Sequence, residues 1–95
     1  MRLILYSKPG CHLCEGLQEK LAQIPASELA FALEVRDITS REDWMRAYEY
    51  EIPVLYVERQ AQLYPIPRPS PRASVAQLTQ LLQKHLSDSG ENATK

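Results

Sequence analysis

The sequence has no long apolar run, no excess of basic residues and only two cysteines, and these shortages narrow the possible functions. No segment approaches the ~20 consecutive apolar residues of a membrane-spanning helix. A net charge of −1 provides no basic surface for nucleic acid. The apolar segment 3–6 behind Met1 and Arg2 is shorter than the ~7–15 residues of a signal-peptide core. We therefore expect a cytoplasmic protein, in a reducing compartment, that binds neither nucleic acid nor a membrane.

The length and composition indicate one small globular domain. The chain has 95 residues, of which 44% are hydrophobic and 24% charged, as in ordinary globular proteins. There is no internal repeat and no sign of a second domain. Residues 1–86 carry the pattern of helices and strands, whereas residues 87–95 are small and polar. We predict a domain over 1–86 and a disordered tail over 87–95.

The segment 6–14, Y-S-K-P-G-C-H-L-C, places two cysteines between a predicted strand and a predicted helix. Apolar residues recur at helical spacing from the second half of this motif onward, at Leu13, Leu17, Leu21 and Ile24. A helix N-terminus carries unpaired N–H groups and partial positive charge, which favour a thiolate at Cys11. Lys8 can add a second positive charge. Cys14 follows one turn later, close enough to form a disulfide, so the pair is interpreted as a redox dithiol.

Three other interpretations of the cysteine pair are weaker. A zinc site would need two more ligands, and His12 and His85 do not form a second pair with finger-like spacing, so we predict no metal site. A structural disulfide would close a very small loop and constrain little. Two unrelated buried cysteines are disfavoured because the pair follows a strand and a Pro-Gly turn.

Periodicity and turn residues predict the element order β-α-β-α-β-β-α. In the first half, the predicted elements are a strand at 2–7, a helix from Cys11 to about Ile24, a strand within 31–38, and a helix to about Tyr50 that begins at the T-x-x-E capping box of Thr39 and Glu42. In the second half, they are a strand from Val54 to Glu58, a hairpin strand at 61–64 and an extended Pro-rich stretch at 65–72. The last is a helix to about Leu86 that begins at the capping box of Ser74 and Gln77. Strand–helix–strand connections give a parallel pair and a hairpin an antiparallel one. We therefore predict an α/β fold with a four-stranded mixed sheet and helices on both faces. Tyr6, Trp44, Tyr48 and Tyr50 are expected in the core.

The motif at 6–14, followed by Ile52-Pro53-Val54-Leu55 before a hairpin and a closing helix, resembles the glutaredoxin-like branch of the thioredoxin superfamily. The resemblance covers residue 2 to about residue 86. It implies a thioredoxin-like fold and a thiol–disulfide oxidoreductase that uses Cys11 and Cys14. It also implies that Pro53 is cis and lies against the dithiol.

The positions of the cysteines in the motif suggest their roles. Cys11, nearer the helix start, is expected to be the nucleophile, and Cys14 is expected to resolve the mixed disulfide. Lys8 and His12 are supporting candidates because a positive charge stabilises the thiolate, whereas Glu15 opposes them. Each of these charged side chains is also an ordinary solvated surface residue in the alternative interpretation.

The chain departs from the glutathione-binding pattern of glutaredoxins. Where that pattern has a Gly-Gly pair and an Asp, residues 66–74 contain neither glycine nor acid. Lys8 and the backbone of Val54 could hold part of the tripeptide, and Arg68 and Arg72 could pair with a carboxylate or be surface charges. We expect weak glutathione binding and no resident cofactor.

The expected partners follow from this chemistry. They are a disulfide-containing protein or a small thiol as substrate, and a reductant such as glutathione or thioredoxin reductase, acting on a monomer. Two other functions stay open at this stage. One is a non-catalytic thioredoxin-fold module that binds protein through the Pro-rich stretch 65–71 or the arginines Arg68 and Arg72. The other is an iron–sulfur carrier in which Cys11 ligates a cluster shared by two subunits.

Overall fold

Four strands and three α-helices form the fold of residues 1–86, the part of the chain that this computed structural model describes. In chain order the elements are β1 (Arg2–Ser7), α1 (His12–Ala22), β2 (Ala32–Asp37), α2 (Glu42–Tyr48), β3 (Val54–Arg59), β4 (Gln62–Ile66) and α3 (Val75–Leu86). A 3-10 turn at Ile38–Ser40 joins β2 to α2. The predicted element order is confirmed. The tail predicted to be disordered, 87–95, lies outside the described residues.

The strands form one mixed sheet in the order β2-β1-β3-β4. β1 is parallel to β2, to which α1 connects it, and antiparallel to β3, which pairs with β4 in a hairpin. Leu5 of β1 lies between Val35 of β2 and Leu55 of β3. Because β1 is hydrogen-bonded on both sides, the strand that leads to the cysteines is held at the centre of the sheet. The predicted mixed sheet is confirmed.

Side chains alternate between the two faces of the sheet, and each face is covered by helix. One face packs against α1 and α3 in a core cluster that includes Leu3, Leu5, Leu17, Leu21, Leu55, Val57, Leu78 and Leu82. The other face carries Ile4 and Tyr6, which pack with Ile38 and with side chains of α2. The prediction of helices on both faces is therefore correct.

The first helix is slightly shorter than predicted. Cys11 is the N-cap of α1 rather than its first helical residue. At the other end, the N–H groups of Gln23 and Ile24 donate to carbonyls three residues back, at 3.0 and 3.3 Å. This tightened last turn ends the helix before Pro25, whose ring cannot continue the hydrogen-bond ladder.

The predicted capping box of the second helix is wrong. The Asp37 carboxylate accepts from both the N–H (2.9 Å) and the hydroxyl (2.6 Å) of Thr39, which commits Thr39 to the 3-10 turn. These bonds also hold the pKa of Asp37 below its usual range. The N-cap of α2 is instead Arg41, which makes no side-chain capping bond. The Thr39 hydroxyl therefore donates to Asp37 at the end of β2, whereas the sequence pattern predicts that it caps the helix.

The hairpin turns one residue later than predicted. Gln60 and Ala61 both have positive φ, 53° and 67°, as a two-residue turn of the type common in hairpins requires. β4 therefore begins at Gln62 rather than Ala61, and it runs on through Pro65 to Ile66. Pro65 fits there because β4 is an edge strand of the sheet.

An aromatic cluster fills the face of the sheet under α2. Tyr6 is 3% exposed, stacks on Tyr48 with ring centroids 4.3 Å apart, and meets Trp44 edge-on at 5.6 Å. Burial, more than its hydrogen bond to a neighbouring tyrosine, raises the pKa of Tyr48 well above its ordinary value, so Tyr48 is a neutral hydroxyl at pH 7. Tyr50 is 88% exposed, so its assignment to the core was wrong. The reason is that α2 ends at Tyr48, which leaves Tyr50 in the following turn.

The capping box predicted for the last helix is present. The Gln77 N–H donates to the Ser74 hydroxyl at 3.1 Å, and the Ser74 N–H donates to the Gln77 side-chain oxygen at 2.9 Å. Two otherwise unpaired backbone donors are satisfied at the start of α3.

We expect Ser74→Ala to lower the free energy of unfolding by about 1 kcal/mol, because one of these donors loses its acceptor. Urea unfolding followed by circular dichroism measures the change. Ser27→Ala is the matched control, since Ser27 is exposed and its side chain has no hydrogen bond within residues 1–86. Equal losses for the two variants would show that the box contributes nothing.

Candidate functional site

A tight turn carries the chain from the end of β1 to the first cysteine. The Cys11 N–H donates to the Lys8 carbonyl at 3.2 Å. Gly10, within the turn, has φ of 84°, which L side chains rarely adopt. Pro9 before it has the preset φ that such turns favour. The Pro-Gly pair therefore places Cys11 at the N-cap of α1.

The two cysteines are joined in a disulfide across the first turn of α1, with their Cα atoms 5.3 Å apart. The Cys14 N–H also donates to the Cys11 sulfur at 3.2 Å. Cys14 is completely buried, whereas Cys11 is only partly buried. Part of the Cys11 surface is therefore accessible to solvent, whereas none of the Cys14 surface is.

The charged residues of the motif differ in their surroundings. Lys8 is partly buried and belongs to none of the ion pairs within residues 1–86. The His12 side chain is 95% exposed, and its Nδ1 lies 3.8 Å from a carboxylate oxygen of Glu15. An imidazolium at His12 would thus be partly compensated by Glu15, and solvent would screen both charges.

Pro53 lies at the same end of the sheet as the cysteines. β3 is antiparallel to β1 and pairs Val54 with Tyr6. Pro53, the residue before Val54, therefore lies toward the end of β1, from which the chain leads to the cysteines. Pro53 is buried, and the peptide bond between Ile52 and Pro53 is cis.

A groove of about 240 Å³ opens beside the dithiol, and we call it the α1 groove. The two residues between the cysteines, His12 and Leu13, belong to its lining, as does Pro53. The other lining residues come from α1, from the segment before α3 and from α3 itself: Gly16, Leu17, Lys20, Arg68, Pro69, Ser70, Pro71, Ala73 and Leu78. The groove therefore begins at the residues next to Cys11 in the chain.

Comparison with protein-family models gives a match over residues 2–83, nearly the whole described chain, to the Glutaredoxin-like domain (DUF836). The chain belongs to this glutaredoxin-like family. A search of curated proteins finds no match.

Three solved structures share the fold of this glutaredoxin-like domain. Thioredoxin 1 from Thermosipho africanus is 16% identical with a TM-score of 0.61, over 95% of this chain and 99% of that one. A malarial protein has the same identity and TM-score over 90% and 96% of the two chains. The target protein XcR50 from X. campestris is 27% identical with a TM-score of 0.58, over 85% and 95%. The predicted thioredoxin-like, glutaredoxin-type fold is confirmed, and family and dithiol together support a redox-type function.

The structure of this glutaredoxin-like domain separates the residues proposed for substrate binding. Arg68 lines the α1 groove and donates to the backbone carbonyl of Glu51. Arg72 is exposed and is not part of the groove lining. The Val54 side chain packs with the aromatic cluster on the face of the sheet under α2, and Val54 does not line the α1 groove.

Sequence reasoning missed Gly16 and Lys20, both on α1. A glycine inside a helix costs roughly 0.5–1 kcal/mol relative to alanine, and that cost was the available signal for Gly16. Lys20 gave no such signal, because the carbonyls of Pro71 and Ala73 that it binds are more than 50 positions away in the chain.

Residues 1–86 lack both a membrane-spanning helix and a cluster of metal-binding side chains. No helix there is long and apolar enough to cross a membrane. The same residues contain no group of three or more His, Cys, Asp or Glu side chains arranged to hold a metal ion.

Proposed function

We propose that this protein is a thiol–disulfide oxidoreductase in which Cys11 attacks the substrate disulfide and Cys14 resolves the mixed disulfide. The observation that carries the proposal is the difference in burial between two cysteines whose sulfurs are joined in a disulfide. Cys11 is the accessible cysteine and can contact a substrate. Cys14 is buried, which protects its sulfur from competing thiols until it attacks the mixed disulfide.

The reaction has two exchange steps that balance in atoms and electrons. The Cys11 thiolate attacks one sulfur of the substrate disulfide; a Cys11–substrate bond forms and the other substrate sulfur leaves as a thiolate. The Cys14 sulfur then attacks the Cys11 sulfur, and the proton of its thiol passes to the departing substrate thiolate. The Cys11–Cys14 disulfide forms, the second substrate sulfur leaves as a thiolate, and two electrons have passed to the substrate. An external thiol reductant reverses these steps to regenerate the protein.

The start of α1 supports the first step. In the reduced protein, the Cys14 N–H that now lies 3.2 Å from the Cys11 sulfur would donate to the thiolate. The partial positive charge at the helix N-terminus acts in the same direction. Both interactions favour the charged form of Cys11, which is the form that attacks.

The test uses a small, neutral substrate, bis(2-hydroxyethyl) disulfide, so that neither charge nor shape recognition is needed. Fully reduced protein should convert it to two molecules of mercaptoethanol per protein. The protein should lose two hydrogen atoms in intact-mass measurement and recover them when dithiothreitol is added. A protein that stays reduced in the presence of this disulfide would refute the proposal.

A further inference from the structure

Much of the lining of the α1 groove is apolar, and a glycine of α1, Gly16, belongs to the same lining. A Cβ atom built at Gly16 would meet nothing within 4 Å, so the space above it is empty. Leu13 beside it is 54% exposed, and Pro69 and Pro71 face it from the segment before α3. The groove volume of about 240 Å³ exceeds the ~150 Å³ of a protein cavity that binds benzene. One bulky apolar side chain fits.

The wall opposite α1 is held in place before any substrate arrives. The Lys20 ammonium donates to the carbonyls of Pro71 (2.8 Å) and Ala73 (2.5 Å), and the Arg68 guanidinium donates to the Glu51 carbonyl. Proline rings further restrict this wall. Binding against it therefore costs little conformational entropy.

The same wall offers few backbone donors. Pro69 and Pro71 in this wall have no N–H group, so a ligand cannot be held there by a ladder of strand-type hydrogen bonds. Recognition at this wall must come from side-chain shape and charge.

The charge of the groove is positive and uncompensated by carboxylates. No acidic residue belongs to its lining. Lys20 and Arg68 take part in none of the ion pairs within residues 1–86, and their hydrogen-bond partners there are backbone carbonyls. Arg68 uses one terminal nitrogen for that bond, which leaves other N–H donors of its planar fork for a carboxylate.

We infer that the α1 groove binds an extended segment of a protein substrate that carries one bulky apolar side chain and one acidic side chain close to its reactive cysteine. The apolar side chain lies over Gly16, and the carboxylate pairs with Arg68. This inference rests on the proposed function, because the disulfide to Cys11 is what brings the segment to the groove. It makes Arg68 and Gly16 the specificity-determining positions of the domain.

The test compares three short peptides that carry the same cysteine in a disulfide with mercaptoethanol. One has Leu and Glu near the cysteine, the second has Gln in place of Glu, and the third has Ala in place of Leu. Each rate of reduction is divided by the rate with bis(2-hydroxyethyl) disulfide for the same variant, so that changes in the dithiol itself cancel.

We expect Arg68→Gln to lower the relative rate for the Leu-Glu peptide by about tenfold or more, as loss of a charge-assisted contact does. It should leave the Gln peptide nearly unaffected, and the effect should shrink at high salt. Arg72→Gln is the matched control, with the same charge change outside the groove, and should not discriminate between the peptides. Equal effects of Arg68→Gln and Arg72→Gln would overturn the inference.

Gly16→Leu fills the groove and should slow reduction of both Leu-containing peptides by about tenfold, to the level of the Ala peptide. Gln18→Leu, an exposed position on the same helix, should have no such effect. If Gly16→Leu leaves the preference for Leu over Ala intact, the apolar side chain does not occupy this groove.

A binding measurement separates this inference from the proposed function. The Leu-Glu peptide with Ser in place of Cys cannot react, and its binding should shift the NMR signals of Gly16 and Arg68 in the wild-type protein. In Arg68→Gln, the same peptide concentration should shift the Gly16 signal much less. Reduction of the small disulfide without these shifts would overturn the inference alone. Shifts without any disulfide reduction would overturn the proposed function alone.

Discussion

Cys11→Ser is expected to reduce turnover of bis(2-hydroxyethyl) disulfide to the uncatalysed rate. The substitution removes the accessible sulfur, and Cys14, with no exposed surface, cannot replace it. Turnover is measured from the oxidation of a thiol reductant in excess over the protein. Gln18→Ser, a serine introduced on the exposed side of the same helix, should keep the wild-type rate.

Cys14→Ser should have a different outcome, because the first exchange step needs only Cys11. This variant should react once and accumulate a mixed disulfide, seen as an intact mass increased by one mercaptoethanol unit. If Cys14→Ser were inert and Cys11→Ser formed the adduct instead, the roles assigned to the two sulfurs would be reversed.

Leu5→Ala is expected to lower the free energy of unfolding by about 2–5 kcal/mol, the usual cost of emptying a packed leucine site. Leu5 has no exposed surface, lies in the doubly paired central strand, and packs in the core cluster with Leu17 of α1 and Leu82 of α3. The free energy of unfolding of small domains is only about 5–15 kcal/mol, so this substitution should remove a large part of the native stability.

Urea unfolding of Leu5→Ala should be measured in dithiothreitol, so that the Cys11–Cys14 disulfide does not contribute to the difference. Leu63→Ala is the control, because Leu63 in the edge strand is 39% exposed and its truncation should cost much less. A loss below about 1 kcal/mol for Leu5→Ala would mean that the site collapses around the smaller side chain.

Local patterns predicted the part of the chain where the chemistry is concentrated. The continuous apolar run of β1, the Pro9-Gly10 turn and the helical spacing after Cys14 each act within a few residues, so the position of the dithiol at a helix start could be inferred. The Ser74–Gln77 box was predictable for the same reason: both partners lie within one helical turn.

Sequence patterns gave wrong predictions where two local interactions competed for one side chain, and where a helix ended earlier than expected. Thr39 had the sequence of a helix cap, but Asp37, two residues earlier, took both its N–H and its hydroxyl. Tyr50 had an apolar ring, but the end of α2 at Tyr48 put it in solvent. Neither outcome follows from periodicity alone, because each depends on where the preceding element stops.

The sequence by itself determined the order of the elements, the mixed sheet and the place of the two cysteines, since these follow from hydrophobic period and turn residues read along the chain. The α1 groove was decided only by the tertiary structure. Its walls come from α1 and from the segment before α3, and they are joined by Lys20 through carbonyls 51 and 53 positions away. Backbone carbonyls are present at every residue, so no pattern of side chains could show which of them a lysine would reach once the chain had folded.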